Sequence, residues 1–211
     1  FNVHLDSLEK YSKIQIELAK QLNDQSKLEL GYSAMGSIYF RRGKVSDALY
    51  YYSKAKAIAQ EKGDNQRLFA ISVNLASINI VQGKNSEALR NYFVARSNLY
   101  KIKEFKETAD LRKLQQYEAQ INLNIGIAYF NMNDYKNATR FYSEALTNSI
   151  RIKDSMTLAK AYTNLAEIEM IEQNYNVAED FLYRGKRIKE SISDSISLKV
   201  NYLLIGRLYL E

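Results

Sequence analysis

The stretch GSIYFRRGKVSDALYYYSKA, Gly36 to Ala55, sets two glycines and three consecutive tyrosines in otherwise helix-forming sequence. A glycine inside a helix costs about 1 kcal/mol relative to alanine. Gly36, in the middle of an apolar-periodic run, therefore needs a reason, and the rest of the chain supplies one. Twelve residues after Gly36 comes Ala48, then Tyr52 and Ala55. The same offsets from Ala76 reach Ala88, Tyr92 and Ala95, and from Gly126 they reach Ala138, Tyr142 and Ala145. From Ala166 they reach Ala178, Leu182 and Gly185, and Gly206 opens a fifth copy. The anchors lie 40, 50, 40 and 40 residues apart. Self-similarity at such a period is the signature of a repeat architecture.

Each anchor follows a large apolar residue: Met35, Leu75, Ile125, Leu165 and Ile205. A small residue on one helix lets a neighbouring backbone approach, and its flanking residues fill the space around it. Each copy is broken in its middle by RRGKV, VQGKN, NMNDY or IEQNY. Gly43, Gly83 and Asn133 suit a left-handed helix end, and Asn174 does so one place later in the fourth copy. The copies are joined by EKGDNQ, RIKDS and KESISDS, whose Asp and Ser can cap the following helix. Each copy is thus two antiparallel helices of about 15–18 residues joined by short turns.

The 211 residues contain no proline, no cysteine and 8 glycines. So few turn formers weigh against a β-rich fold and for an all-α one. Without cysteine there are no disulfides and no thiolate metal sites. No run of about 18 apolar residues is present to span a membrane. The net charge is +6, but basic and acidic residues interleave, as in KIKEFKETADLRK, which dilutes any phosphate-tracking stripe. Direct nucleic-acid binding by this segment is not expected. The start has no initiator Met and the end falls in mid-pattern, so the chain reads as a piece of a longer protein.

YSAMGSIYFRRGKVSDALYYYSKA and NLNIGIAYFNMNDYKNATRFYSEAL resemble tetratricopeptide repeats. Small residues fall at the eighth, twentieth and twenty-seventh places, and aromatic or apolar residues at the fourth, eleventh, seventeenth and twenty-fourth. The chain departs from the family in its period of 40 rather than 34 and in lacking the closing proline. Asn79 and Glu169 also replace the aromatic eleventh residue in alternate copies. The resemblance implies an all-α, right-handed α-α superhelix of about ten antiparallel helices. The expected frame is an orphan second helix over 1–24, repeats over 25–64, 65–114, 115–154 and 155–194, and a truncated repeat over 195–211. LDSLEKYSKIQIELAK is aligned with the second helix of the first repeat at an offset of 41, which sets Tyr11 against Tyr52. A ten-residue insertion around YKIKEFKETADLRKLQQ, without Gly or Pro, is expected to lengthen helices.

In the family, the first helix of each pair lines a concave groove. Carried over by position, the lining here is Ser33, Ser37, Phe40 and Arg41, followed by Val73, Asn74, Ser77 and Ile80. The third pair gives Leu123, Asn124, Ile127, Phe130 and Asn131, and the fourth Lys160, Thr163, Asn164, Glu167 and Met170. Asn74, Asn124 and Asn164 recur in register, and an amide can pair with any extended peptide backbone. They are also simply common at this place. Only Arg41 and Lys160 put a cation on the face, too few for the family's carboxylate clamp. The apolar share of the groove fits either a hydrophobic peptide site or a surface covered by another part of the protein. Of the three tyrosines, Tyr52 holds a core place, and Tyr50 and Tyr51 are expected at the seam between pairs or on the outer surface.

Catalytic motifs are absent: there is no HExxH, GxSxG, P-loop or glycine-rich dinucleotide pattern, and the single histidine is His4. The expected function is therefore non-catalytic, with no cofactor or metal and with a protein or peptide as partner. Long-period repeats of this kind resemble the sensor regions of bacterial signalling regulators, such as the peptide-responsive Rap and PlcR-like proteins. They also resemble repeat regions that precede some histidine kinases and transcription regulators. That likeness implies an attached kinase or DNA-binding domain in the full-length chain. The compartment is left open, with the cytoplasm slightly favoured over the periplasm. A self-associating structural module, such as a homodimer, is the alternative.

Overall fold

The computed structural model describes residues 2–102 and 111–210, with side chains from residue 4 onward. The described chain is helical throughout and groups into two compact units, Phe1–Ile102 and Lys103–Glu211. The first unit holds α1 (Asn2–Gln21), α2 (Gln25–Arg41), α3 (Val45–Glu61), α4 (Asn65–Val81) and α5 (Asn85–Leu99). In it α2 pairs with α3 and α4 with α5, while α1 packs on α2 and α3 on α4. The second unit holds α6 (Leu111–Asn131), α7 (Tyr135–Ile152), α8 (Ser155–Ile171), α9 (Tyr175–Ser191) and α10 (Ser195–Leu208). There α6 pairs with α7 and α8 with α9, while α7 packs on α8 and α9 on α10. Residues 103–110 of the quoted insertion lie outside the described residues; its last part, LRKLQQ, forms the first turns of α6.

The eight turns that join one described helix directly to the next share one geometry. The residues in the left-handed region are Asn23, Gly43, Gly63 and Gly83 in the first unit, and Asn133, Lys153, Gln173 and Ser193 in the second. Within each unit they fall every 20 residues, so each helix with its turn occupies one 20-residue module. In each turn the next amide donates to a carbonyl five residues back, as from Lys44 to Tyr39 at 2.9 Å and from Asp194 to Lys189 at 2.9 Å. The left-handed residue's own amide donates three residues back, as from Gly43 to Phe40 at 3.0 Å. Together these two bonds satisfy carbonyls that the helix end would leave bare. In the fourth repeat the left-handed residue is Gln173 (φ 63), not Asn174, whose φ is −86 and which starts α9. The spacing of 20 overrides the side-chain preference for Asn there.

Helix starts follow the expected chemistry. Asp24, Asp64, Asp154 and Asp194 each accept a backbone hydrogen bond from the residue three places on. These four are the joints between successive pairs. Within pairs, Asp134 does the same, but Lys44, Lys84 and Asn174 make no side-chain cap.

The core explains the anchors. The Tyr52 ring lies over Gly36, where a Cβ would stand 2.9–3.0 Å from three ring carbons. The Tyr142 ring lies over Gly126 more closely, at 2.4 and 2.5 Å for the nearest two. The small anchor thus makes room for an aromatic ring of the partner helix rather than for its backbone. Ala48, Ala55, Ala138 and Ala145 flank these rings without exposed surface. The first unit's cluster joins Met35, Ile38, Tyr52, Ile71, Leu75 and Ile78. In the second unit one cluster centres on Tyr142, Leu165 and Ile168, and another on Leu182, Leu204 and Leu208.

The offset for α1 is 40, not 41. The turn residues Asn23 and Gly63 stand 40 apart. Ser12, buried, therefore takes the place of Tyr52, and Tyr11 is 67% exposed. A serine at a place otherwise held by a large residue pulled the sequence alignment onto the neighbouring tyrosine. Tyr51 stacks on Tyr39 at 5.4 Å and meets Tyr32 at 6.1 Å, joining α3 to α2 of its own pair rather than lying at a seam between pairs. Tyr50 is exposed and edges onto Tyr51 at 5.2 Å.

Candidate functional site

In both units the candidate groove residues sit on the first helix of each pair, with α2 and α4 in one unit and α6 and α8 in the other. In the first unit Ser33, Ser37, Phe40, Val73, Asn74, Ser77 and Ile80 are half-buried and Arg41 is exposed. The Ser33 hydroxyl donates to Glu29 at 2.8 Å, and that of Ser77 to the Val73 carbonyl at 3.0 Å. The hydroxyls of Ser37 and Tyr52 lie 2.8 Å apart, and Tyr92 is bonded to Ser77. The core tyrosines thus bury their rings and present their hydroxyls at the helix face that carries the candidate residues. Burial pushes both hydroxyls above their ordinary pKa.

In the second unit Asn124, Ile127, Phe130, Asn164 and Glu167 are half-buried, and Asn131 and Lys160 are exposed. Asn164 donates to the Tyr142 hydroxyl, which burial first and the Glu167 carboxylate second hold well above the usual range for a phenol. The Phe130 ring packs on Tyr135 at 5.6 Å.

Three expected lining residues do not present a side chain to any groove. Leu123 is part of the core around Tyr142, and Met170 of the core around Leu182. Thr163 is covered by α9 and α10, and its hydroxyl is spent on the Ala159 carbonyl at 2.9 Å and on Asn201 at 3.0 Å. Tight packing of the next pair draws these positions inward.

Thr163 belongs to a buried polar cluster that the sequence reading missed. Lys189, 2% exposed, donates to Thr163 at 2.8 Å, to the Ser197 carbonyl at 3.2 Å and to Asn201. Asn201 in turn donates to the Leu182 carbonyl at 2.9 Å. Burial lowers the Lys189 ammonium to about 8, with Lys160 lowering it further and Asp194 opposing. The repeat frame carried a signal for this cluster. Lys189 stands where Ala59, Leu99 and Ser149 stand in the other copies, and all of these are buried. A lone charged residue at that place is a buried one.

No family model matches the chain, and no curated protein matches it in sequence. Solved structures do match in fold. BtubC (BKLC) from P. vanneervenii superposes with a TM-score of 0.75 at 20% identity, over 97% of this chain and 83% of that one. A signal transduction ATPase with numerous domains and a tetratricopeptide repeat sensor, from Pyrococcus horikoshii, gives 0.77 at 17% identity. That match takes in 92% of this chain and 29% of the larger protein. The apo form of RapI gives 0.69 at 17% identity, over 95% and 81%. The fold is the tetratricopeptide type, all-α and built from stacked helix pairs.

Proposed function

We propose that this chain is a non-catalytic scaffold that binds a protein or peptide along the faces of its first-of-pair helices. The observation that carries this is the pair Asn124 and Asn164, 40 residues apart at one place in the frame and both half-buried. An amide held at such a face pairs with peptide backbone whatever the peptide's side chains. Ile127 and Phe130 beside them offer apolar contact. In the full-length protein this segment serves as the sensor or interaction region of a bacterial signalling or transcriptional regulator. A bound ligand shifts the population of groove conformations and so the state of an attached kinase or DNA-binding domain. The tetratricopeptide sensor of the archaeal ATPase supports this reading by analogy of fold.

Peptides selected by this chain from a displayed random library supply the probe. Replacing Asn124 and Asn164 together with Ala should weaken the selected peptide at least about tenfold, a loss of roughly 1.4 kcal/mol or more. Helicity by circular dichroism should stay unchanged. Unaltered affinity refutes the amide clamp, and a selection that enriches nothing refutes the groove. A second reading, self-association, is favoured by α10, which exposes Ile196, Val200 and Leu203. Light scattering separates the two: a scaffold of the first kind stays monomeric.

A further inference from the structure

The pair α6–α7 carries a pocket of about 490 Å³ lined by Glu118, Asn122, Arg140, Ser143, Glu144, Thr147 and Asn148. At 100° per residue, Glu118 and Asn122 lie on the side of α6 opposite Asn124, Ile127 and Asn131. This seat is therefore separate from the groove.

Comparison with the other pairs shows what is unusual about it. The counterparts of Asn122 are Tyr32, Ser72 and Tyr162, those of Glu118 are Leu28, Leu68 and Leu158, and those of Glu144 are Lys54, Val94 and Arg184. In the first pair the Tyr32 ring is buried and Lys54 lies over it at 5.3 Å. In the fourth, Tyr162 is buried and Arg184 lies over it at 6.0 Å. The chain thus fills this seat twice with a tyrosine lidded by its own cation. In α6–α7 the ring is lost, the cation is replaced by a carboxylate, and a second carboxylate replaces leucine.

Asn122 is 2% exposed, and its Oδ1 has no hydrogen-bond partner. Its Nδ2 donates to Glu144 at 3.2 Å, which fixes the amide so that the oxygen is the unmatched atom. A buried acceptor left without a donor is destabilising, and a donor brought to it recovers that loss. Arg140, the one cation of the lining, has its guanidinium over the Phe141 ring at 4.5 Å.

We propose that this seat binds a cationic side chain, arginine or lysine, presented by a partner polypeptide. The ligand supplies a cation at the place where the first and fourth pairs carry Lys54 and Arg184: its N–H groups donate to Asn122 Oδ1 and the Glu144 carboxylate. Its aliphatic stem takes the space that the tyrosine ring fills elsewhere. A free amino acid carries its own carboxylate into an acidic seat and is disfavoured.

The test uses the whole chain and N-acetyl-arginine amide as probe, read by NMR from the backbone amides of Ser143 and Thr147, which every variant retains. Saturable shifts are expected. The neutral isostere N-acetyl-citrulline amide should bind at least about tenfold more weakly, a factor worth 1.4 kcal/mol. Glu144→Gln should weaken the arginine probe at least fivefold. The double variant Asn122→Tyr, Glu144→Lys restores the lid of the first pair and should abolish the shifts while keeping or raising the melting temperature. Equal binding of citrulline, or equal response of Glu144→Gln and the native chain, overturns the site. Tighter binding of free arginine than of the blocked probe overturns the polypeptide source.

Discussion

Gly36, Gly126 and Gly206 share one place in the frame and meet three surroundings, so one substitution has three outcomes. Alanine at Gly126 drives a Cβ to 2.4 Å from the Tyr142 ring. At so short a contact the overpacking falls at about 2–3 kcal/mol and outweighs the roughly 1 kcal/mol of helix propensity gained, so the variant should lose about 1–2 kcal/mol. At Gly36 the contact is 2.9 Å, and the two effects should nearly cancel. Nothing stands within 4 Å of Gly206, and alanine there should gain about 0.5 kcal/mol. Urea midpoints of the three variants check this order. The small-residue rhythm was visible in sequence, but that its occupant is a ring became clear only with Tyr52 and Tyr142 in place. Leu123, Thr163 and Met170 were misplaced because a position number says which way a helix faces and not how far the next pair covers it.

At the scale of the element, the 40-residue period resolves into two 20-residue modules. It was legible because Asn23, Gly43, Gly63, Gly83 and Asn133 mark five of these eight turns by composition. Lys153, Gln173 and Ser193 carry no such mark, and their left-handed backbone follows from spacing alone. Left-handed geometry burdens a residue with a Cβ by about 1 kcal/mol. Lys153→Gly and Gln173→Gly should each stabilise the fold by about 0.5–1 kcal/mol, and Gly83→Ala should destabilise it by a similar amount. Calorimetric melting temperatures decide this. The α1 register failed for the opposite reason: Ser12 broke the one chemical cue, Tyr52, on which the alignment hung.

For the whole molecule, stability should depend on pH through its buried titrating groups. Lys189 folds with a pKa of about 8 against about 10.4 for an unperturbed lysine. Below pH 8 both the folded and the unfolded states carry the proton, and the full burial penalty applies. Between 8 and 10.4 only the unfolded state holds it, so stability rises with pH, by up to roughly 3 kcal/mol. Tyr52, Tyr92 and Tyr142 are raised by burial, so above about pH 10 they stay neutral when folded and ionise when unfolded, and stability falls. Unfolding midpoints should therefore peak near pH 9–10, roughly two to three units above neutrality. In Lys189→Met the rise should vanish while the alkaline fall remains; a rise that persists assigns it elsewhere. The aspartates at the joints between pairs have a further consequence. Because Asp24, Asp64, Asp154 and Asp194 each carry the start signal of the pair that follows, a forty-residue cassette cut just ahead of one of them is self-punctuating. Such cassettes can be exchanged, duplicated or deleted within a unit without rewriting the seam, which makes Asp24 and Asp64 the natural splice points for chimeras.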